Sequence, residues 1–250
     1  MFYFLVAPLL MCNWLLILAA VIPAIILMIR VYRSDRLEPE NPALLKRLVL
    51  AGVLATLIAL MAERLGSLLL NAFVSPYSWL YNVILYFGIV GFAEEGAKYL
   101  LMKKWSWKSE EFNCQYDAVV YAVFVSLGFA LWENISYVTH YGFSTALVRA
   151  VTAIPGHTCF GVFMGVFYGL AKGYALLEEQ EQSRHFRVLA VIIPALIHGA
   201  YDYIASVQSS GGLLIFLGFI IILFAVSLIL VSRLSKNDRY FEMERRHFGE

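Results

Sequence analysis

Charge is what this sequence lacks. Only 15% of its 250 residues are Asp, Glu, Lys or Arg, against about 25% in an ordinary soluble domain. The formal net charge is +1, so no basic surface is available to neutralise phosphates, and nucleic acid is excluded as a partner. Cysteine is scarce too. Cys12, Cys114 and Cys159 have spacings that fit neither a disulfide framework nor a zinc knuckle, and each reads as a small packing residue. There is no internal repeat, no low-complexity segment and no HExxH motif. Apolar residues fill the space that charge leaves: 61% of the chain is hydrophobic, above the roughly 45–50% usual for soluble domains.

A helix needs about 20 apolar residues to cross the hydrocarbon core of a bilayer. Seven runs meet that need, at 3–29, 45–63, 78–102, 117–138, 145–171, 187–207 and 211–232. The second is closed early by Glu63 and Arg64. The first is too long for a signal-peptide core and has no basic residue ahead of it, so it reads as a retained helix. The expected fold is therefore all-α: a polytopic transmembrane bundle of about seven helices, multi-pass in the cell membrane, with the lipid bilayer as its constant partner.

Lys and Arg set the orientation. Arg30, Arg33, Arg36, Lys46 and Arg47 lie in the first connection, Lys103, Lys104 and Lys108 in the third, Lys172, Arg184 and Arg187 in the fifth, and Arg233, Lys236, Arg239, Arg245 and Arg246 in the tail. The opposite connections hold only Arg64. This asymmetry puts the N-terminus outside and the C-terminus in the cytoplasm. It leaves one integral membrane domain over 1–250: a first helix and cytoplasmic loop (1–44), a helix bundle (45–232) and a cytoplasmic tail (233–250).

Eight residues do not belong in lipid: Glu94, Glu95, Lys98, Glu133, Arg149, His157, His198 and Asp202 all fall within the apolar runs. A charge at the bilayer centre costs about 2.5–3.5 kcal/mol on insertion scales, so such residues face one another or water and are functional candidates by default. Lys98 stands four residues after Glu94 and three after Glu95, so either carboxylate reaches it along one helix face. His198 and Asp202 are four apart. His157, Gly161, Gly165, Gly169 and Gly173 form an i, i+4 line, which lets a neighbouring backbone approach and puts His157 on a packed face. At about 1.5 Å per residue, the eight groups overlap in depth and can line one polar cavity. Singly, each has a structural reading: Glu95–Lys98 and Glu133–Arg149 as helix-pinning ion pairs, either histidine as a hydrogen-bonded core residue. The interfacial aromatics Trp79, Tyr81, Trp105, Trp107, Tyr137, Tyr141 and Tyr203 read as belt residues.

The order of the motifs resembles the PrsW family of intramembrane proteases, relatives of the CAAX-processing and bacteriocin-immunity membrane proteases. Five segments carry the resemblance: Asp35-Arg36-Leu37-Glu38-Pro39-Glu40; Glu94-Glu95-Gly96-Ala97-Lys98 (EExxK); Asp117 onward through Gly128-Phe129-Ala130-Leu131-Trp132-Glu133-Asn134 (FxxxEN); Arg149 through Pro155-Gly156-His157, followed by the glycine line; and His198 through Asp202 (HxxxD). Ala93 stands where some members carry a further acidic residue.

The resemblance implies peptide-bond hydrolysis within or beside the membrane, on a membrane protein or peptide substrate such as an anti-sigma-factor-like regulator. It implies catalytic roles for Glu94, Glu95, His157 and His198. Glu94 activates water, and the histidines polarise the scissile carbonyl or protonate the leaving amine. Lys98, Glu133, Asn134, Arg149 and Asp202 take supporting roles. No cofactor is certain. Zn2+ is the one candidate, with Glu133, His157 and His198 as its expected ligands, and metal-free glutamate catalysis stays open beside it. Two other classes remain: an ion- or proton-coupled transporter, whose relays use the same residue types, and a catalytically silent scaffold of the same fold. A retinal-type receptor is disfavoured, since 211–232 has no lysine for a Schiff base.

Overall fold

The computed structural model describes residues 14–207 and 209–241. Cys12, the first residues of the 3–29 run, and Arg245 and Arg246 of the tail lie outside them. The regular structure of the described residues is helical, apart from an isolated bridge between Cys114 and Tyr240. In chain order the helices are α1 (Trp14–Tyr32), α2 (Pro42–Phe73), α3 (Trp79–Val83), α4 (Gly91–Ser106), α5 (Gln115–Tyr141), α6 (Phe143–Val151), α7 (Ala153–Leu176), α8 (Gln180–Ala205) and α9 (Ser210–Asn237). A π-helical stretch, Ile84–Val90, joins α3 directly to α4, and α6 runs into α7. The result is seven rods, and the chain folds as a transmembrane helix bundle. Five are long and apolar enough to cross a membrane by length and composition: Pro42–Phe73, Gln115–Tyr141, Phe143–Leu176, Gln180–Ala205 and Ser210–Asn237.

Three of the seven expected runs change shape. Glu63 and Arg64 do not end the second helix, which continues to Phe73. Both are good helix formers, and outward-facing apolar residues resume at Leu65, Leu68 and Leu69. The start of α2 is fixed locally: the Asn41 side chain accepts from the Ala43 N–H at 2.9 Å, and Pro42 occupies the first turn, where no N–H is needed. The run expected at 145–171 is interrupted at Thr152. Pro155 has no N–H to offer the Val151 carbonyl, so the ladder loses one bond there. The run at 78–102 contains the π-helical stretch, which adds a residue to a turn and rotates the helix beyond it. The carboxylates of Glu94 and Glu95 lie just past that rotation.

α5 is the central helix, buried along most of its length between α7, α2 and α1. The glycine line of α7 makes one of the two close packings. A Cβ on Gly165 would lie 2.5 Å from Val119 Cα, and one on Gly161 would lie 3.0 Å from Val123 Cα. The backbones of α7 and α5 thus touch where a larger side chain would separate them. On the opposite side of α5, a Cβ on Gly128 would meet the Val49 carbonyl oxygen at 2.2 Å. The outer face of α9 presents Leu213, Leu214, Ile215, Ile221 and Ile222, as a lipid-facing helix should.

At one end of the bundle the connections α1–α2 and α4–α5 meet the segment after α9. The Phe241 N–H donates to Asn113 O at 2.9 Å, and the Tyr121 hydroxyl donates to Glu40 Oε2 at 2.8 Å. Burial, with the neighbouring Asp117 carboxylate second to it, pushes the Glu40 carboxyl up to about 9.

Candidate active site

Four rods converge on one polar array. From α4 come Glu94, Glu95 and Lys98, from α5 Glu133 and Asn134, from the α6–α7 rod Arg149 and His157, and from α8 His198 and Asp202. Local sequence seats each group. The π-helical stretch and Gly91 precede the α4 carboxylates. A Cβ on Gly199 would lie 2.8 Å from Phe87 Cα, so α8 presses onto the π-helical stretch just where His198 is carried. The Phe160 ring stacks on His198, centroids 4.5 Å apart.

Lys98 is the hub and is fully buried. Its ammonium donates to Glu95 Oε1 at 2.8 Å, to Glu94 Oε2 at 3.1 Å, and to His157 Nδ1 at 3.3 Å. The Nζ atom also lies 3.9 Å from the centroid of the Phe129 ring. All three ammonium N–H groups are therefore used. Because an ammonium only donates, His157 Nδ1 accepts, and its Nε2–H is left to donate to Glu133 Oε2 at 2.8 Å. Glu133 also pairs with Arg149 Nη2 at 3.0 Å. Arg149 Nε donates to Asn134 Oδ1 at 2.8 Å, and Asn134 Nδ2 donates to Ala20 O at 2.9 Å, which ties the array to α1.

His198 faces carboxylates at both nitrogens: Nδ1 lies 2.9 Å from Glu95 Oε1 and 3.8 Å from Glu94 Oε2, and Nε2 lies 3.5 Å from Asp202 Oδ2. The two adjacent glutamates differ in setting. Glu94 lines a cavity of about 530 Å3, together with Glu63, Glu133, Arg149, His157, His198 and Asp202. Glu95 is fully buried behind it; its Oε1 faces both Lys98 and His198, and its Oε2 has no donor.

All nine residues singled out from the sequence lie in this array. The metal-ligand set differs from the expected one. The residues whose ligand atoms lie within 4.8 Å of one another are Glu94, His157 and His198, whereas Glu133 is engaged by His157 Nε2 and Arg149. A carboxylate with two imidazoles is a donor set that catalytic zinc sites use, with further coordination left for water or substrate, so these residues fit such an ion by type and proximity.

Sequence reasoning alone reads Glu63 as the end of a run and misses its place at the site. A signal is present: Thr56, Leu60 and Glu63 share one helix face at i, i+4 and i+7, and all three line the cavity. Tyr137, a belt residue by its position in the sequence, also lines the cavity, its ring 4.1 Å from the Arg149 guanidinium carbon.

Residues 40–231 match the PrsW family intramembrane metalloprotease profile. The chain is similar to Protease PrsW of Halalkalibacterium halodurans, 30% identical over 224 residues that make up 90% of this chain and 99% of that protein. It is similar to Protease PrsW of Clostridioides difficile, 31% identical over 237 residues, 93% of this chain and 94% of that one. Against Protease PrsW of Bacillus subtilis it is 34% identical over 120 residues, 48% of this chain and 53% of that one. No solved structure matches the chain.

Proposed function

The chain belongs to the PrsW family of intramembrane metalloproteases and is a multi-pass membrane peptidase, and from that premise we propose that it cleaves membrane-associated protein substrates by activating water in the cavity lined by Glu94, His157 and His198. The observation that carries this reading is the unbroken array from Asp202 through His198, Glu95, Lys98 and His157 to Glu133 and Arg149, with Glu94 beside it on the cavity wall.

Glu94 takes the proton from the attacking water, since its carboxylate faces the cavity. A carboxylate held away from bulk solvent is a stronger base than one in water. His198 passes a proton to the leaving amine, its ring held between Glu95 and Asp202. His157, whose Nδ1 accepts from Lys98 and whose Nε2–H is held by Glu133, reaches the developing oxyanion only when substrate draws its Nε2–H away from Glu133. Glu95 and Lys98 are positioning residues: they fix each other and the two imidazoles. Arg149 and Asn134 hold Glu133 in place. A divalent ion bound by Glu94, His157 and His198 would polarise the scissile carbonyl and make the attacking water more acidic. Whether Glu94 acts as ligand or as base decides the response to a chelator.

The substrates fitting this reading are single-pass or membrane-tethered regulators of the anti-sigma-factor type, and the setting is the cell membrane, with the C-terminus cytoplasmic. The test incubates the purified protein with such a substrate, with and without a chelator, beside Glu94→Gln. Specific cleavage by the wild type and none by Glu94→Gln supports the reading; equal cleavage by both overturns it.

A further inference from the structure

Five carboxylates gather at the far end of α5 from the catalytic array. Asp35, Glu38 and Glu40 lie in the α1–α2 connection, Asp117 is in the first turn of α5, and Asp238 comes directly after α9. Asp117 and Glu133 are sixteen residues apart on one helix, on the order of 24 Å at 1.5 Å per residue, so the two groups of acids are separate. Among the described residues, no lysine or arginine nitrogen forms an ion pair with any of the five within 4.0 Å.

The hydrogen bonding of this cluster is lopsided. Asp117 Oδ2 accepts from the backbone N–H groups of Asn113 at 2.9 Å and Cys114 at 2.6 Å. Glu40 Oε2 accepts from Tyr121, and Asp238 Oδ1 accepts from the Tyr116 N–H at 3.1 Å. Four buried oxygens then remain without any donor: Asp35 Oδ2, Glu40 Oε1, Asn113 Oδ1 and Asp238 Oδ2. The Glu40 side chain is almost wholly inside, its residue only 3% exposed. Oxygens of Asp35, Glu40 and Asp117 come within 4.8 Å of one another. Without an ion the Glu40 proton is shared with Asp117; a cation taking that proton's place would satisfy the orphaned oxygens as well, which a further neutral side chain would not.

We propose that the protein binds a hard divalent cation here, through the carboxylates of Asp35, Glu40 and Asp117, at a site distinct from the catalytic array. The ligand class comes from the donors. An all-oxygen carboxylate set suits Ca2+ or Mg2+. Cys114, Asp117 and Asp238 form a neighbouring set that shares Asp117, and a thiolate there would instead favour a softer ion such as Zn2+. The three all-oxygen ligands come from two regions far apart in sequence, so the ion would fasten the start of α2 to the start of α5. The proposal does not depend on the proteolytic reading.

The test uses the full chain in detergent after metal stripping, with Mn2+ as a paramagnetic probe and Ca2+ and Mg2+ in thermal-unfolding titrations. One bound Mn2+, displaced by Ca2+ or Mg2+ and weakened about tenfold or more by Asp35→Asn, supports the site. So does an unfolding temperature that rises with Ca2+ or Mg2+ in the wild type and not in Asp35→Asn or Glu40→Gln. Asp35 is only partly buried and so is the milder change; should Glu40→Gln fail to fold, Asp35→Asn still reads the site. Mn2+ binding that survives both changes and disappears with His157→Ala assigns the ion to the catalytic array and overturns the proposal. Retention of Zn2+ through Cys114 with no response to Ca2+ or Mg2+ overturns it too. So does an increase in stability from Asp35→Asn and Glu40→Gln without any ion, which would mean that protons alone satisfy the cluster.

Discussion

Changing Glu94 and Glu95 to glutamine, one at a time, separates chemistry from architecture. In Glu94→Gln the new amide oxygen can still accept the Lys98 bond now made at 3.1 Å, so Lys98 keeps all its partners and the fold should survive. What goes is the basic carboxylate facing the cavity. General-base catalysis supplies about 10²–10⁴-fold, or about 2.7–5.4 kcal/mol of barrier at 1.36 kcal/mol per decade, and cleavage should fall by at least the lower figure. Glu95→Gln acts elsewhere. Its Oε1 lies 2.8 Å from Lys98 Nζ and 2.9 Å from His198 Nδ1, in a residue with no exposure. Hydrogen bonds to charged groups are worth about 1.5–3 kcal/mol each, and an amide oxygen retains only part of that. Glu95→Gln should therefore lower the unfolding temperature as well as activity, whereas Glu94→Gln should lower activity alone. The assay pairs a gel-based time course on a validated substrate with thermal unfolding in the same detergent. If both variants cleave at the wild-type rate, the pair is only an anchor for Lys98 and the glutamate-centred mechanism is wrong.

Lys98→Met strips a buried array of its central cation and should cost on the order of 3–5 kcal/mol, seen as a lower yield and an earlier melt; an unchanged melt would remove Lys98 from the hub. His198→Ala should abolish cleavage, with Asp202→Ala milder, because Asp202 sits 3.5 Å from the ring and only orients it; equal losses in initial rate would contradict that ordering. If zinc takes part, His157→Ala and His198→Ala should each lose metal by elemental analysis and a chelator should mimic both, whereas an unaffected rate in chelator means that no metal is used. Gly165→Val places its Cβ 2.5 Å from Val119 Cα, forces α7 off α5 and should destabilise by about 1–3 kcal/mol as overpacking does; a wild-type melt would show that the two helices separate freely. A reporter after Glu250 should read cytoplasmic and one within 139–144 external, and the reverse pattern would overturn the orientation drawn from the basic residues.

The rods and the site are legible in the sequence for one shared reason. In a chain with so little charge, each ionisable residue within an apolar run is conspicuous, and helical spacing alone links Glu94 with Lys98 and His198 with Asp202. The glycine line likewise announces a close helix contact, because only packed backbones reward small residues every fourth position. The break at Thr152 has its signal in Pro155, but the hydropathy of the run hides a single lost hydrogen bond. The π-helical stretch Ile84–Val90 leaves no mark, its residues being as apolar as those of any span. Glu63 is hidden by its neighbour: next to Arg64 it resembles the end of a helix. The acidic end cluster is equally hidden, because Asp35, Glu40, Asp117 and Asp238 are scattered along nearly the whole chain and meet only through the tertiary fold.

A charge count links the structure of the catalytic array to its use. Glu63, Glu94, Glu133 and Asp202 line the cavity and Glu95 lies just behind it, whereas the permanent cations in contact with these acids, among the described residues, are Lys98 and Arg149. Five acids against two fixed cations leave an excess of three negative charges in a region that lipid and packed helices shield from water. Such an excess cannot stand uncompensated at low dielectric. It is met by protons shared among the acids and the two imidazoles, by a bound cation, or by both. Either compensation makes the site reactive: shared protons are what a general acid and base exchange, and a bound cation is what activates water. On the proposed reading, the expense of placing these acids in the membrane and the capacity to hydrolyse a peptide bond there are two consequences of one arrangement. Removing a single negative charge from the cavity wall should accordingly disturb both proton occupancy and metal retention, which makes Glu63→Gln an informative neutral probe. It touches none of the catalytic atoms, yet it should shift the pH profile of cleavage if the excess charge governs the site. An unshifted profile with full activity would show that Glu63 is a bystander and that the excess is smaller by one.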